Sequence, residues 1–360
     1  MEIDNNRFCP SNIAFVYSMK ILTFVFFRKN RVIIKLVMLI KGFIKTSLIV
    51  LPLLFFANIT FAQDPIFTQF YANPLYLNPA FAGSDYCPRV SLNYRNQWPG
   101  ISGSFITTSA SYDQHIDALS GGIGLLVWDD RAGEGTLRTS NVSGIYSYEL
   151  PVTRKFSIRA GIQATWAQKS LNWSKLTFGD QIHARRGFIY NTQEVKRDQA
   201  VNYVDFSAGL VGYSENVFGG ISVNHLTEPN ESAVKGNSPL PRKYTVHGGV
   251  NIPLTTQSRG PKTYISPNLI AQLQDNAMQI NLGMYLSRGP LITGLWYRYN
   301  ESVIALLGFQ TGIMKFGYSY DITVSKLTNT TAGSHEISLG FQFECKPRRR
   351  SFRTISCPSF

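Results

Sequence analysis

Polar and apolar residues alternate with a period of two through most of the chain after residue 88. In the stretch 90–95, Val90, Leu92 and Tyr94 share one face, and polar residues occupy the other. Such alternation is typical of β-strands, because successive side chains point to opposite faces. Most alternating segments reach the length of about nine residues that a tilted strand needs to cross a bilayer. Fourteen segments can be counted, at 88–98, 103–113, 120–129, 138–150, 155–169, 201–213, 217–226, 242–253, 263–274, 276–287, 290–299, 302–310, 312–321 and 335–344.

The lengths of the connections support this count. The third, fifth, seventh and thirteenth, around 130–137, 170–200, 227–241 and 322–334, are long, and most even-numbered ones are short. Alternating strands place odd and even connections at opposite ends of a barrel, and outer-membrane barrels have long outer loops and short periplasmic turns. We therefore expect the short turns and both mature termini to face the periplasm.

A soluble β-sandwich is the alternative, since its strands also alternate. A sandwich has a polar outward face, whereas the polar faces here carry few charges, which favours a barrel. The mean hydropathy of −0.06 argues against a bundle of membrane helices. Pro267 fits the ninth strand poorly, because proline cannot donate to a ladder. We predict an all-β fold, a transmembrane outer-membrane β-barrel of about 14 antiparallel strands in residues 88–345. Aromatic residues near strand ends are expected to form interfacial girdles, namely Trp98, Trp128, Trp166, Tyr148, Tyr299 and Tyr320.

Residues 1–62 have the features of an export leader. Lys41 and Lys45 precede an uncharged, mostly apolar stretch, which ends in a small-residue cleavage motif at Ala62. We expect a signal peptide at 38–62, cleaved before Gln63, and a mis-set start that adds residues 1–37. An uncleaved membrane anchor is the alternative.

The net charge of +13 is confined to the ends of the chain. Residues 1–62 carry eight basic and two acidic residues (+6), the tail 346–360 carries five basic residues (+5), and only +2 remains for 63–345. This distribution does not indicate a nucleic-acid-binding face. The sequence contains no nucleophile elbow, phosphate loop, HExxH or dinucleotide motif. We therefore expect no enzymatic activity, no cofactor and no metal.

An aromatic segment with two Asn-Pro steps, residues 63–87, separates the leader from the first strand. Asn-Pro steps favour turns and extended chain. A linker between the leader and the barrel is the alternative, but exposing so many aromatic side chains to water would cost free energy. We expect the segment to be periplasmic or to plug the barrel, with Phe67, Phe70, Tyr71, Tyr76, Leu77 and Phe81 buried. The candidate plug or partner residues are Phe67, Gln69, Phe70, Tyr71, Asn73, Pro74, Tyr76, Leu77, Asn78, Pro79 and Phe81.

The stretch 67–83, FTQFYANPLYLNPAFAG, resembles the N-terminal signature of the PorP/SprF family of Bacteroidetes, and the resemblance continues in LNYRNQWP at 92–99 and GSHEISL at 333–339. The resemblance implies an outer-membrane barrel of type IX secretion and, in some members, gliding motility. It also implies a non-enzymatic role in exporting or anchoring a large secreted surface protein with a C-terminal secretion domain. The alternative is a diffusion channel or small-solute transporter, since fourteen strands can enclose a lumen.

The cysteines and the basic tail give two further expectations. Cys87 precedes the first strand and Cys345 follows the last, so barrel closure brings both to one rim. A disulfide there would join the two strands that form the closing seam of the barrel, the first and the last. Cys357 remains an alternative partner for either residue. The tail is expected in the periplasm, where it contacts lipid headgroups or docks periplasmic type IX components; its basic residues are Lys346, Arg348, Arg349, Arg350 and Arg353.

Overall fold

The computed structural model describes residues 63–183, 185–194, 200–232, 236–255, 263–324 and 332–344. Within them, fourteen long strands form one antiparallel sheet. We number them β1 (Arg89–Gln97), β2 (Phe105–Ile116), β3 (Gly121–Ala132), β4 (Leu137–Pro151), β5 (Phe156–Leu171), β6 (Ala200–Ser214), β7 (Val217–Asn224), β8 (Lys243–Val250), β9 (Thr263–Gln274), β10 (Ala277–Arg288), β11 (Leu291–Arg298), β12 (Ser302–Thr311), β13 (Met314–Thr323) and β14 (Ser334–Gln342).

The sheet is closed. Each strand pairs with its neighbours in sequence, and β1 pairs with β14 along its whole length, from Arg89↔Gln342 to Gln97↔Ser334. Each of the fourteen described strands thus has two partners, so that this sheet has no edge strand that would face lipid unpaired. The predicted barrel and its number of strands are confirmed, and most strand ends lie within a few residues of the predicted ones.

The faces of the barrel are reversed relative to a soluble protein. On β1, Asn93 and Arg95 are buried, whereas Leu92 and Tyr94 are 39% and 42% exposed. The same arrangement recurs around the barrel, with outward residues such as Ile162 and Leu295 exposed and inward serine, threonine and asparagine residues buried. A continuous apolar outer surface belongs in lipid.

The connections define two ends of the barrel, which we call the odd-turn end and the even-turn end. Short even turns lie at 152–155, 215–216, 289–290 and 312–313, and long odd connections at 172–199 and 225–242. The connection 172–199 contains a small hairpin of two-residue strands, Ile182–His183 and Gly187–Phe188.

The third connection differs from its prediction. It is a tight turn, 133–136, because β3 and β4 extend beyond their predicted ends. Gly133, Glu134 and Gly135 all have positive φ, which lets the chain reverse in four residues.

Pro267 lies within β9, at a place where the pairing tolerates it. Residues Asn268–Gln274 of β9 pair with β8, and Ile265 pairs with Ile252 beyond a break at Asn251. Pro267 therefore falls in the gap of the β8–β9 ladder, where no N–H is required. Among the described residues, no helix is long and apolar enough to span a membrane.

Candidate functional site: the segment inside the barrel

Residues 63–87, which we call the plug, pass once through the barrel lumen. Asp64 contacts His225 and Lys243, which lie at the odd-turn ends of β7 and β8. Gly83 donates from its N–H to Asp113, near the even-turn end of β2. The plug therefore enters at the odd-turn end and leaves at the even-turn end, where β1 begins.

This path departs from the expectation that both mature termini lie at the even-turn end. The last described strand, β14, does end there, because Phe343 N–H donates to Pro88 O at 2.9 Å. Residue 64 lies at the opposite end. Alternation assigns side chains to the faces of the wall, but it carries no information about the direction of a chain inside it.

The Asn-Pro steps build the turns of the plug. Pro74 and Pro79 each occupy the first turn of a short helix, Pro74–Leu77 and Pro79–Phe81, where the missing N–H costs nothing. Asn78 caps the second helix by accepting a hydrogen bond from Ala80 N–H at 2.9 Å. The turns make the plug compact enough to fit the lumen.

Aromatic residues of the plug pack on aromatic residues of the wall. Phe70 lies 5.0 Å from Trp296, Tyr71 lies 5.5 Å from Phe218, and Phe81 lies 5.2 Å from His247, each between ring centroids. Of the six side chains expected to be buried, five are buried and Tyr76 is half-buried. The others among the candidate plug residues, Gln69, Asn73, Pro74, Asn78 and Pro79, are buried too.

One wall carboxylate, Glu336 on β14, holds the odd-turn half of the plug. It accepts hydrogen bonds from Thr68 N–H (2.6 Å), Thr68 Oγ1–H (2.7 Å) and Gln69 N–H (3.1 Å). Arg95 of β1 bonds to Thr68 Oγ1 and lies 3.5 Å from Glu336. A second carboxylate, that of Asp321, accepts a hydrogen bond from the other terminal nitrogen of Arg95, Nη2, at 3.1 Å. The charges are thus paired within the lumen, as burial requires.

Amides hold the middle of the plug. Asn73 Nδ2 donates to Ser109 Oγ at 2.7 Å, and Asn78 Nδ2 donates to the carbonyl of Ile221 at 3.0 Å. Ser222 Oγ–H donates to Leu77 O at 3.0 Å. Wall side chains therefore bond to both side-chain and main-chain groups of the plug.

Glycines of the wall make room for the plug backbone. A Cβ built on Gly161 would lie 2.6 Å from Ala80 Cα, and one built on Gly122 would lie 2.7 Å from Gly83 Cα. At Gly209 and Gly317 a Cβ would overlap the amide side chains of Asn78 and Gln69. At these four positions, on β3, β5, β6 and β13, the absence of a side chain lets the wall approach the plug closely.

A cluster of charged residues holds the plug at the even-turn end. Arg159 Nη1 and Ser147 Oγ both donate to Ala82 O, at 2.8 and 2.6 Å. Arg89 bonds to Asp113 at 2.9 Å, and the same carboxylate accepts from Gly83 N–H. The plug is therefore fixed where it turns into β1.

A second charged cluster holds the plug at the odd-turn end, and we call it the latch. It consists of Asp64, Asp205, His225 and Lys243. The His225 ring bridges Asp64 (2.8 Å) and Asp205 (2.7 Å), and Lys243 Nζ lies 3.7 Å from Asp64. Burial opposes the charged imidazole, but the two carboxylates outweigh it and raise the pKa of His225 to about 10. His225 is therefore a cation at neutral pH.

The latch is expected to open at alkaline pH. Because the pKa of His225 is about 10 in the folded chain, above its ordinary 6.5, its contribution is complete below pH 6.5 and is lost as the pH rises through 10. A spin label on Gln63→Cys should become mobile above that pH. With His225→Gln, the label should be mobile throughout. A label that stays immobile at pH 11 in the parent chain, or an identical titration in the variant, would contradict a role for His225.

Beside Asp64 lies a small cavity of about 40 Å³, which Tyr76, Trp128 and Tyr203 help to line. Its volume suffices for a few water molecules. Residues 67–75 and 77–84 of the plug are all buried, so the plug occupies the centre of the lumen.

Sequence reasoning missed the apolar residues of the lumen that receive the plug. They include Leu126, Phe218, Tyr285, Trp296 and Ile304, all buried. Trp128, expected in a lipid girdle, instead faces the lumen and packs on Tyr76 at 5.9 Å. The sequence of β3 does carry a signal for a strand that contacts the plug. Its residues 125–128 are apolar on both faces, as expected where one face of a wall strand meets lipid and the other meets the plug.

Cys87 is disulfide-bonded. Cys345 and Cys357 lie outside the described residues, as do the tail residues Lys346, Arg348, Arg349, Arg350 and Arg353. The bond from Phe343 N–H to Pro88 O brings the two ends of the seam together beside Cys87. The pairing of Cys87 with Cys345, and the role of the tail, stay predictions.

Comparison with known proteins identifies the family. A family described as "Type IX secretion system membrane protein PorP/SprF" matches residues 59–341. Similar solved structures include the Ralstonia pickettii toluene transporter TbuX, with 11% identity, a TM-score of 0.43 and coverage of 77% of this chain and 95% of that one. They also include the Acinetobacter baumannii outer membrane protein Omp33, with 8% identity, a TM-score of 0.42 and coverage of 72% and 98%. A search of curated proteins finds no significant match. The chain belongs to the PorP/SprF family of type IX secretion system membrane proteins.

Proposed function

We propose that the protein is a non-enzymatic outer-membrane barrel of the type IX secretion or gliding machinery, which helps to export or anchor a large secreted surface protein. The partner would carry a C-terminal secretion domain. The observation that carries this proposal is the filled lumen of a barrel in a secretion-system family. A barrel whose centre is occupied by its own chain is suited to binding a partner at its ends.

The runner-up function is a diffusion channel or small-solute transporter. Such a protein needs a continuous path through the lumen. Here the plug would have to move, and it is bonded to the wall at both ends and along its length, through Asp64, Thr68, Asn73, Asn78 and Ala82. These contacts favour the partner-binding function over the channel.

The orientation that fits this role places the odd-turn end outside the cell. Long connections, 172–199 and 225–242, gather there, and outer-membrane barrels have their longer loops outside. The partner would then contact these connections. The chain would reach the outer membrane after cleavage of a signal peptide at Ala62, and the basic tail would meet periplasmic type IX components or lipid headgroups on the other side.

Deleting residues 64–83 behind an intact signal peptide tests the function. The barrel should still insert, because its strands and seam remain, but surface display of proteins with the C-terminal secretion domain should be lost. Surface biotinylation with mass spectrometry measures display, and heat-modifiable migration in SDS gels measures insertion. Re-expression of the intact chain should restore display and serves as the control. If display stays normal and only small-solute permeability rises, the channel function gains and the proposed one fails.

A further inference from the structure

Three strand ends surround the first residues of the plug. His225 directly follows β7, Lys243 is the first residue of β8, and Gln274 is the last residue of β9. Asp64 bonds to all three: its carboxylate contacts His225 and Lys243, and its N–H donates to Gln274 Oε1 at 3.0 Å. All three lie at the odd-turn end, so the position of Asp64 at this rim is fixed from three directions.

The exposure of the chain changes sharply at this rim. Gln63 is exposed, residues 64–66 are half-buried, and every residue from Phe67 to Leu75 is buried. The chain therefore emerges from the barrel between residues 63 and 67, at the end where the long connections lie. It does not emerge beside the start of β1, the end from which an exported chain arrives.

We propose that the beginning of the plug is displayed on the cell surface, with Gln63 exposed at the odd-turn end next to His225, and with the latch as its anchoring site. This inference rests on the proposed orientation of the barrel. It implies that residue 63, the expected first residue after signal-peptide cleavage, belongs to the face that a secreted partner meets. Residues fused in front of it would lie outside the cell.

The charge arrangement supports an anchoring role for the latch. Asp64 is half-buried and faces two cations, His225 and Lys243, while Asp205 balances His225 from the wall. Removing the Asp64 carboxylate would take away the hydrogen-bond partner of His225 in the plug and the carboxylate that faces Lys243, which would keep its contact with the Tyr76 ring, 5.4 Å from the ring centroid. The latch thus holds the displayed end against the rim, although the plug has no covalent connection to the wall there.

Cysteine labelling of intact cells tests the proposal. Three single substitutions are compared, with the parent chain as background: Gln63→Cys, Gln193→Cys in the exposed part of an odd connection, and Lys155→Cys in an exposed even turn. A membrane-impermeant maleimide should label Gln63→Cys and Gln193→Cys on intact cells. Lys155→Cys should be labelled only after the outer membrane is permeabilised.

The outcomes separate the inference from the orientation. If Gln193→Cys is labelled on intact cells and Gln63→Cys behaves like Lys155→Cys or stays unlabelled, the displayed end is refuted and the orientation stands. If Lys155→Cys alone is labelled on intact cells, the barrel is inverted, and both the orientation and the surface display fail.

Adding Asp64→Asn to Gln63→Cys tests the anchoring role of the latch. The double variant should keep the labelling and show more protease cleavage of the first plug residues. Unchanged cleavage would refute the anchoring role.

Discussion

Replacing Gly161 by valine is expected to displace the plug from the lumen while the barrel remains folded. Even the first carbon of the new side chain would lie 2.6 Å from Ala80 Cα, against backbone atoms that cannot rotate away. Overpacking of this kind costs about 1–3 kcal/mol or more, and here the cost falls on the plug, since β5 is held by two full-length neighbours. The variant should expose the plug to protease and raise the single-channel conductance of the purified barrel.

Gly144→Val is the matched control for this prediction. Gly144 lies on the adjacent strand β4, and a Cβ there meets no atom within 4 Å. It faces outward, so the extra methyl groups enter lipid. The control should leave conductance and protease resistance unchanged. If Gly161→Val remains as tightly sealed as Gly144→Val, close approach at the wall glycines does not hold the plug.

The second large effect is expected for Glu336→Ala. The substitution leaves the N–H groups of Thr68 and Gln69 without an acceptor and removes one of the two carboxylates that face Arg95. Breaking a buried, hydrogen-bonded ion pair costs on the order of 3–5 kcal/mol. The barrel should unfold at lower urea concentration, as measured by tryptophan fluorescence in detergent.

Glu301→Ala provides the comparison. Glu301 also accepts a hydrogen bond from an arginine, Arg298 at 3.1 Å, but its side chain is 43% exposed. The Glu301 carboxylate is largely solvated, and Arg298, which is buried, keeps a second carboxylate, Asp321, at 3.5 Å when Glu301 is removed. The urea midpoint should therefore move little. Equal destabilisation by the two substitutions would show that the bonds from Glu336 to the plug do not stabilise the barrel.

The wall of the barrel could be predicted from the sequence because lipid imposes a rule on every strand. Outward residues are mostly apolar, so Leu92 and Tyr94, or Ile162 and Trp166, mark their strands without any knowledge of the partners. The burial of the plug aromatics could be predicted for a similar reason, since water is a poor environment for them.

The contacts between plug and wall could not be predicted, because they join residues far apart in sequence. Thr68 and Glu336 are separated by 268 positions, and Asn78 and Ile221 by 143. A glutamate in an alternating strand looks the same whether it faces water or a plug. The direction of the plug was equally hidden, since Asp64 and His225 become neighbours only when β7, β8 and β9 are in place.

The position of Glu336 has a consequence for the order of assembly. Thr68 and Gln69 precede β1 in the chain, but the carboxylate that binds them lies on β14, the last of the described strands. The arginine beside this carboxylate lies on β1. Since β1 and β14 form the seam, the bonds of Thr68 to Glu336 and to Arg95 are complete only when the seam closes. A barrel that closed empty would have to be threaded afterwards by a segment that carries three short helical turns and several aromatic side chains. The sheet is therefore expected to wrap around a plug that is already inside it, so that seam closure and plug docking form one late step. This step is expected to be slow, because it joins residues 268 positions apart and must overcome the entropy of closing so long a loop.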